Sequence, residues 1–151
     1  MIKIITVGYL KEQYLKDAIA EYLKRLRKYT NIEIVEVKDE GLVEKEKALK
    51  LEEEKILKYI QDKDYIITLE IEGKELDSVE FANKLDKIQL EYSNITFVIG
   101  GSYGLSNILK EKANYHLSFS RLTFPHQLFR VLLLEQLYRS YKINNNESYH
   151  K

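Results

Sequence analysis

The side chains able to do chemistry gather in the last third of this 151-residue chain. A glycine-rich turn, Gly100-Gly101-Ser102-Tyr103-Gly104, follows the short apolar run Ile95 to Ile99. A second apolar stretch, Tyr115 to Phe119, leads into Ser120 to His126, which holds hydroxyls, Arg121, Pro125 and a histidine. Beyond these, Glu135 and Arg139 stand four residues apart in an apolar helical pattern, and the sequence closes on Tyr149-His150-Lys151. Both apolar stretches read as strands, and glycines just past a strand let a ligand approach bare backbone. Ligands of open α/β sheets sit outside the carboxyl ends of the strands, so two such ends in one stretch make one candidate site.

Three motif readings compete for the glycines. Gly100 to Gly104 matches G-x-S-x-G between a strand and a helix, the setting of a serine nucleophile. That chemistry needs an acid and then a histidine further on, yet no Asp follows Asp86, and the acids available are Glu111, Glu135 and Glu147. A phosphate loop would place Lys after Gly104, where Leu105 stands. A dinucleotide site would need G-x-G-x-x-G and an acid about 20 residues later, but position 120 is a serine. A plain tight turn is the remaining reading from spacing alone.

These loops need a sheet to hold them. Ile2 to Val7 reads as a strand ended by Gly8, and Lys11 to Tyr29 as a helix whose apolar side is Tyr14, Leu15, Ala18, Ile19, Tyr22, Leu23 and Leu26. Its cations Lys11, Lys24, Arg25, Arg27 and Lys28 read as a solvated face. Ile32 to Val37 is a strand, and Val43 to Ile60 a helix with an inner edge of Ala48, Leu49, Ile56, Leu57 and Ile60. Tyr65 to Leu69 is another strand, from which Glu70 to Lys74 leads away. Asp77 with Glu80 three residues on has capping-box spacing for a helix ending near Tyr92. The alternation predicts an α/β fold, a parallel-rich sheet flanked by helices, in a single domain over 1–151. Pro125 fits the first turn of the last helix, where a missing N–H is harmless. That helix is apolar almost all round from Leu128 to Tyr141, which predicts a second buried face and hence a homodimer. Ile143 to Lys151 reads as a loose polar tail.

Composition narrows the classes. With 24 basic and 24 acidic residues the chain carries no net charge, which argues against a general nucleic-acid coat. Residues 36 to 64 carry ten acids against seven lysines, whereas 121 to 151 are locally basic through Arg121, Arg130, Arg139, Lys142 and Lys151. There is no Cys, and the three His (His116, His126, His150) are far apart, so no metal site is expected. No stretch has the apolar length of a signal peptide or a membrane span, and a cytoplasmic protein is expected with no membrane partner.

Several segments together carry a family resemblance: Thr68-Leu-Glu-Ile-Glu-Gly-Lys74, Phe97 to Leu105, Leu117-Ser-Phe-Ser-Arg-Leu-Thr-Phe-Pro-His126, Glu135 to Arg139 and the Tyr-His-Lys end. In these the chain resembles the small SPOUT-class methyltransferases that methylate N3 of a pseudouridine in 23S ribosomal RNA. The resemblance spans nearly the whole chain. Tyr9 departs from it where a Lys usually follows Val-Gly, as do Asn146 to Ser148 where a Gly-x-Pro usually precedes the final Tyr.

The resemblance implies a carboxyl-terminal deep trefoil knot, S-adenosylmethionine as cofactor, the ribosome or its 23S rRNA as partner, and a homodimer whose site the second protomer completes. By position, cofactor contacts fall on Leu69, Gly100, Phe119, Ser120, Arg121, Leu122, Thr123 and Phe124. The catalytic group implied is Tyr149, His150 and Lys151, reaching the partner's cofactor, with Glu135 and Arg139. His150 is then a proton acceptor and Lys151 an anion contact, while Glu135 and Arg139 form either an RNA-facing pair or an ordinary helix ion pair. His126 reads as a structural group. A knotted methyltransferase acting on transfer RNA, or a ribosome-binding module without transfer activity, are the alternatives.

Overall fold

Short β-branched runs become strands where both of their faces find apolar cover. In the computed structural model, which describes residues 1–151, the strands are β1 (Ile2–Val7), β2 (Ile32–Val37), β3 (Tyr65–Glu75), β4 (Ile95–Ile99) and β5 (Tyr115–Ser118). All pair in parallel in one sheet of order β2-β1-β4-β3-β5. Every residue of β4, the central strand, is buried. The helices are α1 (Gln13–Leu26), α2 (Lys45–Leu57), α3 (Ser78–Glu91), α4 (Asn107–Lys112) and α5 (His126–Asn144).

Because successive strand side chains face opposite ways, one strand feeds two cores. Ile4 and Phe97 join Leu15 and Ile19 of α1, Phe81 and Leu85 of α3, and Leu133 and Leu137 of α5. Ile5 and Val98 face the other side, with Ile56 of α2 and Leu109 of α4. Helices on both faces are therefore observed, as the alternation predicts. At the start of α3 the capping box is complete: Asp77 accepts from the Glu80 N–H at 2.8 Å, and Glu80 accepts from the Asp77 N–H at 2.9 Å. The cations of the α1 face, Lys24, Arg25, Arg27 and Lys28, are exposed.

Four readings are corrected. First, Glu70 to Lys74 does not lead away from the sheet. Leu69 and Lys74 both register with Leu117, so the segment between them loops out at the edge and returns to pair again. Its partner β5 lies some forty residues later, beyond the reach of a local pattern. Second, the apolar circumference of α5 does not itself require another protomer. The helix lies on the sheet between α1 and α3 and is covered on three sides. Third, Pro125 is the residue before the first turn rather than in it, with extended ψ of 131°. Fourth, the tail is docked, not loose.

The docking has a clear chain of contacts. Asn146 turns the backbone with φ of 56°, a left-handed conformation that Asn tolerates better than most residues. Glu147 then accepts from the Tyr29 hydroxyl at 2.6 Å and from Lys142 at 3.2 Å. Tyr149 packs edge-on against Tyr138 at 4.9 Å between ring centroids. Composition alone reads this segment as polar, whereas the fold supplies partners for Glu147 and Tyr149.

Two buried features do not follow from periodicity. In α2, Glu52 and Glu53 are buried where only apolar residues were expected on the inner edge; Glu52 accepts from the Glu40 N–H at 2.9 Å and Glu53 pairs with Lys50 at 3.0 Å. In α5, Arg130 is 1% exposed and donates to Glu36 at 2.7 Å and to the Gly8 carbonyl at 3.2 Å. Arg130 thereby ties the first half of α5 to the ends of β1 and β2.

Candidate active site

The loops after β3, β4 and β5 enclose a cleft of about 770 Å³ at the carboxyl end of the sheet. That is within the range of small-molecule sites, roughly 300–1,000 Å³. Leu69 to Glu72 form one wall, Gly100 to Leu105 the second, and Ser120 with Leu122 to His126 the third. Leu117, Phe119 and Phe129 close its apolar side. The glycine turn is narrow by necessity. Gly104 has φ of +78°, and a Cβ on Gly100 would run into the Gly104 carbonyl. Ser102 sits exposed inside this turn, three residues ahead of the Leu105 that fills the second core, and α4 begins only at Asn107.

One wall is braced by polar contacts that no motif indicated. Glu70 accepts from the Thr68 hydroxyl at 2.6 Å, lies against Nδ1 of His116, and has Lys110 at 3.9 Å. This network joins β3, α4 and β5 at the point where the edge loop leaves the sheet. The segment Thr68 to Lys74 carried the family resemblance, so the position was legible while its bonding was not. His126 lies at the head of α5 in the cleft wall, its Nε2 within 3.1 Å of where a Cβ on Gly8 would be. That packing fits the structural reading of His126.

A second constellation forms on the outer side of α5. Arg139 is held by Glu135 at 2.7 Å, and its guanidinium covers the Tyr149 ring at 4.7 Å. The hydrogen bond that Arg139 donates to Glu135 raises the Arg139 pKa, keeping it a fixed cation. Arg139 also lies 3.1 Å from Nδ1 of His150. Since a guanidinium only donates, Nδ1 is the acceptor and the imidazole proton sits on Nε2. Burial, reinforced by the Glu135 carboxylate, raises the Tyr149 phenol, so it stays neutral near pH 7. Lys151 is exposed at the end of the chain.

The structure thus sorts the expected site residues into two places. Leu69, Gly100, Phe119, Ser120, Leu122, Thr123 and Phe124 line the cleft, whereas Arg121 is exposed and does not. Glu135, Arg139, Tyr149 and His150 come together, but none of them lines the cleft of the same protomer. The cleft offers a ligand backbone without side chains, apolar walls and the hydroxyls of Ser120 and Thr123. No helix of the chain is long and apolar enough to cross a membrane.

A parallel sheet with a glycine turn and a ligand-sized cleft at the carboxyl ends of its strands defines an α/β fold with one candidate small-molecule site. The chain belongs to the SPOUT methyltransferases: the family described as "Predicted SPOUT methyltransferase" matches residues 1–150. It is 51% identical to the ribosomal RNA large subunit methyltransferase H of Clostridium acetobutylicum, with 99% of each chain covered. It is 49% identical to the protein of the same name from Streptococcus thermophilus, again over 99% of each. Among solved structures, a probable methylase family protein from Haemophilus influenzae has the same fold, with a TM-score of 0.56 at 17% identity, covering 99% of this chain and 70% of that one.

Proposed function

We propose that this protein is an S-adenosylmethionine-dependent methyltransferase of large-subunit ribosomal RNA, acting at N3 of a pseudouridine in the cytoplasm. The observation that carries the reading is the cleft at the carboxyl ends of β3, β4 and β5, floored by a turn with no side chains at Gly100 and Gly104. Relatives of about half identity across the full length are named as ribosomal RNA large subunit methyltransferases, which supports the substrate.

Bound in this cleft, the sulfonium donor supplies an activated methyl group with its own leaving group. The chain's task is then positioning, which can lower a barrier by about 7–11 kcal/mol when reactants are well aligned. Leu69, Phe119 and Phe124 hold the apolar part of the cofactor, while Ser120 and Thr123 offer hydrogen bonds to its polar groups. The acceptor nitrogen has to lose an imide proton, and each pKa unit above the ambient pH costs about 1.4 kcal/mol. Arg139, kept charged by Glu135, stabilises the developing anion. Tyr149 stays neutral and donates a hydrogen bond; His150 takes the proton once its Nδ1 leaves Arg139, and Lys151 contacts phosphate.

The active unit in this reading is a homodimer, because the cluster on α5 does not line its own cleft and is supplied to the partner's. The exposed apolar side chains Leu122 and Leu128, beside the cleft and the head of α5, provide contact surface. The test is transfer of labelled methyl from S-adenosylmethionine to ribosomes from a strain lacking the gene, with mapping of the labelled nucleotide. Label at N3 of a pseudouridine in 23S rRNA is expected. Label on transfer RNA instead would move the protein to the related knotted enzymes, and failure to bind the cofactor would leave only a ribosome-binding role.

A further inference from the structure

The terminal cluster continues onto α1, where no catalytic role reaches. Arg25 places its guanidinium 5.4 Å from the ring centroid of Tyr22 and 5.6 Å from that of Tyr138, and the two rings are 6.3 Å apart. Tyr138 in turn carries Tyr149 on its edge and Lys142 at 5.5 Å. Tyr29 extends the row, 6.4 Å from Tyr138 and with Lys28 at 4.9 Å. Aromatic rings and cations thus alternate over one surface that begins at Glu135 and Arg139 and ends at the last turn of α1.

The charge on this surface is not cancelled. Glu21, Glu135 and Glu147 are each engaged, by Arg25, Arg139 and the pair Lys28 and Lys142. Lys24, the preceding residue of α1, is exposed and makes no salt bridge. A helix carboxyl end favours cations, which accounts for their sign but not for the rings beneath them. Arg25 keeps 41% of its side chain exposed although Glu21 and two rings hold it, so a preoriented guanidinium remains partly open to solvent. Unstacked RNA bases stack on such planes, with neighbouring cations on the phosphates.

We propose that Arg25, held over the rings of Tyr22 and Tyr138, is a docking platform for an unpaired RNA base flanking the methylated nucleotide, with Lys24 contacting the backbone beside it. This rests on the RNA methyltransferase reading above. In the dimer it sets a base-reading surface of one protomer beside the cofactor cleft of the other.

The test compares the full-length wild type with Arg25→Ala and with Lys24→Ala. Affinity for ribosomes lacking the modification is measured as a function of salt, together with KM and kcat for methyl transfer and S-adenosylmethionine affinity by calorimetry. Arg25→Ala is expected to weaken ribosome binding by about 5- to 150-fold, the loss of one stacked base, and to raise KM while kcat and cofactor affinity hold. Lys24→Ala should lower the slope of log affinity against log salt by about 1, one phosphate contact. Wild-type affinity and slope in both variants, with normal transfer by the wild type, would overturn the platform alone. Absence of methyl transfer to any RNA by the wild type would overturn the function and the platform together.

Discussion

Replacing Arg130 tests how α5 is held over the cleft. Its guanidinium is 1% exposed and makes two hydrogen bonds, to Glu36 at 2.7 Å and to the Gly8 carbonyl at 3.2 Å. Its Nε has no partner, so the site is not a fully satisfied network. Breaking a buried ion pair by removing one member costs about 3–5 kcal/mol. Glu36 is 32% exposed at its side chain and also accepts from the Leu10 N–H at 2.6 Å, so it can rehydrate and keep one bond. The loss is therefore smaller than for a fully buried pair: Arg130→Met, which refills the volume but strands the Gly8 carbonyl, should cost about 2–3 kcal/mol. For a domain of this size that is a fall of roughly 4–12 °C in Tm. The assay is urea unfolding followed by circular dichroism at one fixed protein concentration, for Arg130→Met, Glu36→Ala and the double variant. The pair should show a coupling of about 1–3 kcal/mol. A coupling near zero, or an Arg130→Met variant as stable as the wild type, would refute the claim that this pair anchors α5.

Three further outcomes follow from the geometry. Gly100→Ala forces its new Cβ against the Gly104 carbonyl, a misfit of about 1–3 kcal/mol that should weaken cofactor binding by about 5- to 150-fold in calorimetry; unaltered binding would show that the turn does not shape the cleft. Burial raises the Glu52 carboxyl pKa, helped by the nearby Asp39 and Glu40 and opposed by the Glu40 N–H bond. The folded chain therefore keeps this proton to higher pH than the unfolded chain, so stability falls as pH rises through the folded value. Glu52→Gln should be more stable than wild type at about pH 8 in urea unfolding, with the gain vanishing near pH 3, below the ordinary carboxylate range; a loss at pH 8 would show that the charged form is the favoured one. Truncation after Ser148 removes Tyr149, His150 and Lys151 but keeps Glu147 and its bonds to Tyr29 and Lys142. It should abolish methyl transfer and leave cofactor affinity unchanged, and intact transfer would remove the tail from the mechanism.

Much of the architecture was legible along the chain because it depends on local pattern. Buried runs such as Ile2 to Val7 and Ile95 to Ile99 cannot be solvated, and the Asp77 and Glu80 spacing starts α3 whatever lies around it. The helix ends were overreached by a turn: Val43 and Ile60 lie outside α2, whose inner edge includes two carboxylates. Those carboxylates are tolerated because Glu52 finds the Glu40 N–H and Glu53 finds Lys50, partners that periodicity does not represent.

The sequence by itself determined the alternation of strands and helices and two of the three loops that enclose the cleft, since each is written within a short stretch. Only the tertiary structure decided how distant stretches share their polar groups. It folds the Tyr149 end onto Tyr138 and Arg139, returns Lys74 to pair at Leu117, buries Arg130 against Glu36 and encloses α5 between α1 and α3. The physical reason is the same in each case. A polar or charged side chain has no preferred depth of its own, and whether it is exposed or buried depends on a partner that the fold brings from far along the chain.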